Sequence, residues 1–212
     1  MLNNKKENRN TKKKKWFNYS VWIREINSFI KVLIISLIIV IPIKYFIIEP
    51  YMVLGTSMEP NFHTFDYLFV DKTGFVQTDR GDVVVLIPPK EMEKHSWRNY
   101  TVFLDNRVKY IKRVIAMPGE SIKIKNNQVY IKKLGENKFH ILSETYTTNY
   151  RMRDMDLTLK NDEYFVMGDN RAYSKDSRII GPIKKNEIQG VVILELFRHP
   201  AFFPYQQTPK FK

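Results

Sequence analysis

Few side chains in this sequence suit covalent catalysis. There is no cysteine among 212 residues, which excludes a thiol nucleophile and any Cys-ligated metal centre. The four histidines, His63, His95, His140 and His199, include no pair at metal-ligand spacing, so no metal site is expected. No serine sits in a G-x-S-x-G elbow. What remains is a serine with a lysine. Leu54-Gly55-Thr56-Ser57-Met58-Glu59-Pro60 places Ser57 in a tight turn, where Gly55 permits close backbone approach or positive φ and Pro60 fixes the exit. A serine held this way can offer both its hydroxyl and its own N–H to one carbonyl. Downstream, Tyr110-Ile111-Lys112-Arg113-Val114 reads as a strand, and alternation puts Lys112 on the face of Val108, Tyr110 and Val114. Burial on that face disfavours the ammonium and lowers its pKa from about 10.4. A neutral amine can then take the serine proton, a role usually filled by histidine. The polar loop Gly168–Arg178 carries two serines and closely spaced opposite charges. It reads either as a solvated loop or as the source of a hydroxyl that holds the lysine, braced by Asp–Arg pairs. From spacing alone, a turn serine and an edge-strand charge remain the plainer account of Ser57 and Lys112.

The elements that must position these residues follow from composition. The net charge is +13, from 35 basic and 22 acidic residues. Residues 1–48 hold 10 of the basic and 2 of the acidic side chains, so most of the excess lies in the first quarter. Residues 1–28 form a basic tail, whose first fifteen residues have almost nothing apolar to bury and are expected to be disordered. Residues 29–48 are apolar and reach about 30 Å as a helix, the hydrocarbon thickness of a bilayer. Lys31 and Lys44 sit near the ends, where a long side chain extends its ammonium to the interface. Residues 45–51 offer no A-x-A-like cleavage pattern, and Val32–Ile43 is apolar all round, unlike an amphipathic core helix. The segment is therefore expected to be an uncleaved single-pass anchor in the cell membrane. The basic residues before it put the N-terminus in the cytoplasm and residues 49–212 outside.

Those outer residues read as strands at 67–71, 83–87, 107–115, 163–167 and 191–196. A hairpin at 121–131 turns on Asn126-Asn127. The fold class is mostly β. The Lys-, Asn- and Thr-rich segment 119–160 is expected to be an inserted β lobe between two parts of a β core, 49–118 and 161–212.

Five segments carry a family likeness. In order, Gly55-Thr56-Ser57-Met58-Glu59-Pro60, Asp66–Lys72, Gly81-Asp82-Val83-Val84, Tyr110–Val114 with Pro118-Gly119, and Gly168-Asp169-Asn170 with Ser174–Arg178 resemble bacterial type I signal peptidases. The resemblance implies a membrane-anchored serine endopeptidase with a β-rich catalytic core and an inserted β lobe. In it Ser57 is the nucleophile and Lys112 the general base, with Ser174 orienting the amine. Asp169, Asp176, Arg178 and Arg113 support the pair, and Tyr51, Val53, Met58, Tyr110 and Ile111 wall the substrate pockets. The implied substrates are signal peptides of secretory preproteins, cut after small residues one and three places before the scissile bond. The implied surroundings are the lipid bilayer and the protein-translocation machinery; no cofactor, metal or nucleic acid is expected.

Four positions depart from the family pattern. Gly55 replaces a serine found in Gram-negative members, leaving the oxyanion mainly to the Ser57 N–H. Asn61 replaces the usual threonine, and Ala116-Met117 the usual Gly-Leu. The alternative is a non-catalytic, membrane-tethered β protein whose basic tail binds anionic lipid or nucleic acid. In such a protein Ser57 and Lys112 are dispensable.

Overall fold

No glycine or proline occurs between Leu2 and Ile41, so nothing local interrupts a helix once its apolar part forms. In the computed structural model α1 runs from Leu2 to Pro42. The described residues are 2–43, 47–74, 76–89, 107–147, 152–196, 201–202 and 210–211. The basic tail, expected to be disordered, is helical: its Lys, Arg and Glu residues are good helix formers, and extending a helix is cheap compared with nucleating one. Among the described residues the membrane-length stretch is Val21–Pro42, with mean hydropathy 2.0. Pro42 lacks the N–H needed to continue the helix, and Ile48 already belongs to a strand.

The chain divides into two compact units, Met1–Phe46 and Ile47–Lys212. In the second, β-branched runs separated by turn residues form strands, and every pairing among the described residues is antiparallel. One sheet has eight strands: β1 (Ile48–Met52), β2 (Tyr67–Asp71), β3 (Val83–Leu86), β4 (Tyr110–Ala116), β9 (Glu163–Met167), β10 (Ile183–Lys184), β11 (Ile188–Leu196) and β12 (Ala201–Phe202). Their order is β1-β2-β11-β3-β4-β9-β10, with β12 on β11. The second sheet has β5 (Ser121–Lys125), β6 (Gln128–Lys132), β7 (His140–Ser143), β8 (Met155–Thr158) and β13 (Lys210–Phe211), in the order β13-β7-β6-β5-β8. The β5–β6 turn uses Asn126 and Asn127 at φ 51° and 63°, the left-handed pair that matches strand twist in a two-residue hairpin.

Segment 119–160 supplies four strands of the second sheet, and β13, which the sequence placed with the core, pairs with β7 there. The two sheets share one apolar cluster. Ile122, Ile124, Val129 and Ile131 pack with Ile115 and Ala116 of β4 and with Phe165 and Met167 of β9. Sheet one is buried on both faces: Val83 and Val85 join a cluster with Val53, Met58 and Phe62, while Val84 and Leu86 join one with Val114 and Val166. β3 and β4 are thus central strands, stiff enough to fix what they carry.

Candidate active site

The excursion 53–66 leaves the β1–β2 hairpin and is closed at its base by Val53 N to Asp66 O and Phe65 N to Val53 O, both 2.9 Å. Within it Glu59 N donates to Thr56 O, and Asn61 N and Phe62 N both donate to Met58 O. Met58 and Phe62 are plugged into the core, 1% and 0% exposed, and this fixes the half-buried Ser57 between them and the surface. Gly55 adopts φ 102°, a region that disfavours any residue with a Cβ. That accounts locally for glycine in place of serine.

Lys112 lies opposite Val84 of β3, two residues from Val114, on a face whose other members are apolar. It is 3% exposed. Its Nζ donates to Ser57 Oγ at 2.8 Å and to Ile111 O at 2.6 Å, and stands 5.3 Å from the Tyr110 ring centre. Burial lowers its pKa to about 8, although Asp176 and then Asp169 pull it back up. Val108, expected on this strand face, precedes β4 and is exposed.

The adjacent Arg113 is fully buried and turns to the opposite face. Its Nε and Nη2 reach Asp169 Oδ1 and Oδ2 at 2.8 and 2.6 Å, and its Nη1 donates to Gly81 O. Its guanidinium stacks 4.4 Å from the Tyr146 ring centre. Asp176 is equally buried and caps the short helix α2 (Ser177–Ile180). It accepts Arg178 Nε and Nη2 at 2.8 and 2.7 Å and Gly168 N at 2.9 Å. Burial alone would raise the Asp176 pKa, but the bonds from Arg178 and Gly168 hold it below the usual carboxylate range.

Loop 168–176 is docked on the serine turn. Asn170 N donates to Ser57 O and Asn170 Nδ2 to Thr56 O, each at 3.1 Å. Gly168 makes this approach possible: a Cβ there would stand 2.2 Å from Ser174 Oγ and 2.4 Å from Ser57 O. Gly168→Ala is therefore expected to push the turn off Lys112 and lower kcat at least about tenfold. Peptide-cleavage kinetics, read beside a melting curve, check this.

Ser174, expected to orient the Lys112 amine, lies in the same loop. Its Oγ is buried and lies close enough to the Asp176 carboxylate to help hold that group ionised, while Lys112 Nζ donates to Ser57 Oγ and Ile111 O.

A groove of about 660 Å³ opens over Ser57 and Lys112. All five expected wall residues, Tyr51, Val53, Met58, Tyr110 and Ile111, line it. Tyr51 is fixed by Glu49, which accepts its hydroxyl at 2.7 Å and an ion pair from Lys72 at 2.8 Å.

Several neighbours carry no motif signal. Arg171 is buried, donates to Gly168 O and pairs with Glu144, which also accepts the Tyr146 hydroxyl. Asn61 bonds to Asp169 and to Tyr146 O. These residues tie the second sheet's connecting loop to the site. Only Arg171 lay within a segment marked by its charge density. His63 and His140 lie beside Asp66 and Glu136, and His95 and His199 lie outside the described residues.

A half-buried serine hydroxyl thus lies against a buried, low-pKa lysine beside a groove. The family model described as signal peptidase, peptidase S26, matches residues 26–197. A signal peptidase I of Bacillus amyloliquefaciens is 33% identical over 192 residues, covering 86% of this chain and 90% of its own. Signal peptidase I V of Bacillus subtilis is 35% identical over 170 residues, covering 75% and 92%. A solved signal peptidase I from Enterococcus faecalis is 27% identical, covers 55% of this chain and 97% of its own, and aligns with TM-score 0.41. The chain belongs to the signal peptidase, peptidase S26, family and is a serine endopeptidase of the signal peptidase I type.

Proposed function

We propose that Ser57 and Lys112 are the nucleophile and general base of a signal peptidase reaction on secretory preproteins. The observation that carries this reading is the 2.8 Å Nζ–Oγ contact at a lysine whose pKa is lowered to about 8. While Lys112 is charged its amine donates to Ser57; once neutral, its lone pair takes the hydroxyl proton across the same contact. Oγ attacks the scissile carbonyl, the C–N bond breaks, and the Lys112 proton passes to the leaving amine. The acyl-enzyme ester is then opened by a water whose proton Lys112 accepts, and Ser57 regains its hydrogen. The Ser57 N–H is the first oxyanion donor.

Val53 and Met58 line the groove beside Ser57, where the family likeness implies small substrate side chains. Arg113, Asp169, Asp176 and Arg178 hold the loop and strand that flank the pair. The span Val21–Pro42 tethers the enzyme to a bilayer near emerging preproteins, its basic flank cytoplasmic and its β unit outside. Purified in detergent, the parental protein should release the signal peptide from a preprotein, and Ser57→Ala should release none. Cleavage by Ser57→Ala at the parental rate would sink the reading and leave the tethered non-catalytic protein as its successor.

A further inference from the structure

Asn61 stands four residues beyond Ser57 at the trailing end of the same turn, its backbone N–H bonded to Met58 O at 3.1 Å. Its side-chain Nδ2 donates to Asp169 Oδ2 at 2.7 Å and to Tyr146 O at 2.6 Å. An amide nitrogen has two hydrogens, so it serves both acceptors at once; a hydroxyl has one and serves a single acceptor. The acceptors belong to different parts of the fold. Asp169 opens the loop after β9 and grips Arg113, the residue next to Lys112 on β4. Tyr146 follows β7 in the second sheet's connecting loop, and its ring lies against the same guanidinium. The leading end of the turn is held separately, by Asn170 on Ser57 O and Thr56 O.

We propose that Asn61 is a positioning residue that sets the distance between Ser57 and Lys112, by fastening the serine turn to the Asp169 carboxylate and to the backbone of the loop after β7 through one amide. The inference rests on the Ser57/Lys112 reading above. Without the amide the turn keeps its core anchors, Met58 and Phe62, and its Asn170 bonds, but its trailing end is free to shift relative to β4. A shift of that kind touches the attack distance and leaves Tyr51, Tyr110 and Ile111, walls outside the turn, in place, so it acts on kcat more than on KM.

The test compares the parental enzyme with Asn61→Leu, close in size but without donors, and Asn61→Thr, with one donor. All are full-length and in detergent, with kcat, KM and melting temperature measured on one preprotein. Asn61→Leu is expected to lower kcat about 10- to 100-fold with KM within about twofold, and Asn61→Thr to fall between it and the parent. The inference is overturned if Asn61→Leu keeps kcat within about twofold of the parent, loses only in KM, or loses only what its unfolded fraction explains. If Asn61→Leu does not fold, Asn61→Thr decides: a parental kcat there overturns the two-acceptor role. An active parent with an unaffected Asn61→Leu sinks this inference alone, whereas a parent inert towards preprotein sinks the reading beneath it.

Discussion

Replacing Lys112 with methionine is expected to lower kcat by about 10²- to 10⁴-fold, the range that a positioned general base contributes, while making the folded protein more stable. Both effects have one cause. Burial costs the lysine its ammonium hydration, and its pKa falls from 10.5 to about 8 in the fold. The unfolded chain therefore binds more protons between about 8 and 10.5, and stability rises with pH across that window. Below it the penalty is constant at about 3 kcal/mol, from 2.5 pKa units at about 1.36 kcal/mol each. Methionine has similar reach and no charge, so Lys112→Met removes the penalty. Denaturant unfolding should show the variant more stable than the parent at pH 7, with the gap closing towards pH 10.5. The parental kcat/KM should rise as pH increases towards about 8 and level off above it. A methionine variant that processes preprotein at the parental rate would remove Lys112 from the mechanism, and a stability gap independent of pH would contradict its depressed pKa.

The expectations that held are those carried by local patterns. Val83–Ile87, Glu163–Met167 and the Asn126-Asn127 hairpin announce themselves through β-branched runs and turn residues, since a strand's periodicity and its turn chemistry lie within a few residues. Ser57 and Lys112 were visible as residue types in a tight turn and on an apolar strand face, but their contact spans 55 positions, and only the family likeness linked them. The Asn61 amide reaches 85 residues to Tyr146 and 108 to Asp169, distances over which one sequence carries no pairing signal. Composition misled at the N-terminus, where a lysine-rich stretch read as disordered continues a helix seeded by the span behind it. It misled also at Lys210–Phe211, too short a strand to show periodicity and placed by pairing with β7 alone.

Asp169→Asn separates the support of the site from its chemistry. Asp169 neutralises Arg113, and both side chains are 0% exposed. Removing one partner of such a pair leaves a buried charge uncompensated, and the typical loss is about 3–5 kcal/mol. The asparagine variant keeps the shape and one carbonyl acceptor for the guanidinium, so a loss near 3 kcal/mol is expected, read from denaturant midpoints. A second effect follows from the field at Lys112. Asp169 is one of the two carboxylates that raise its pKa against the effect of burial, so neutralising Asp169 should lower that pKa further. The acid limb of kcat/KM should therefore move to lower pH in whatever fraction of the variant remains folded. Loss of stability with an unmoved acid limb would make Asp169 a brace for Arg113 and nothing more. A limb moving to higher pH would contradict the sign of the field and with it the placement of Lys112 between these carboxylates. The two readouts are independent because unfolding changes the amount of active enzyme, whereas the midpoint of the pH profile belongs to the molecules that are still folded.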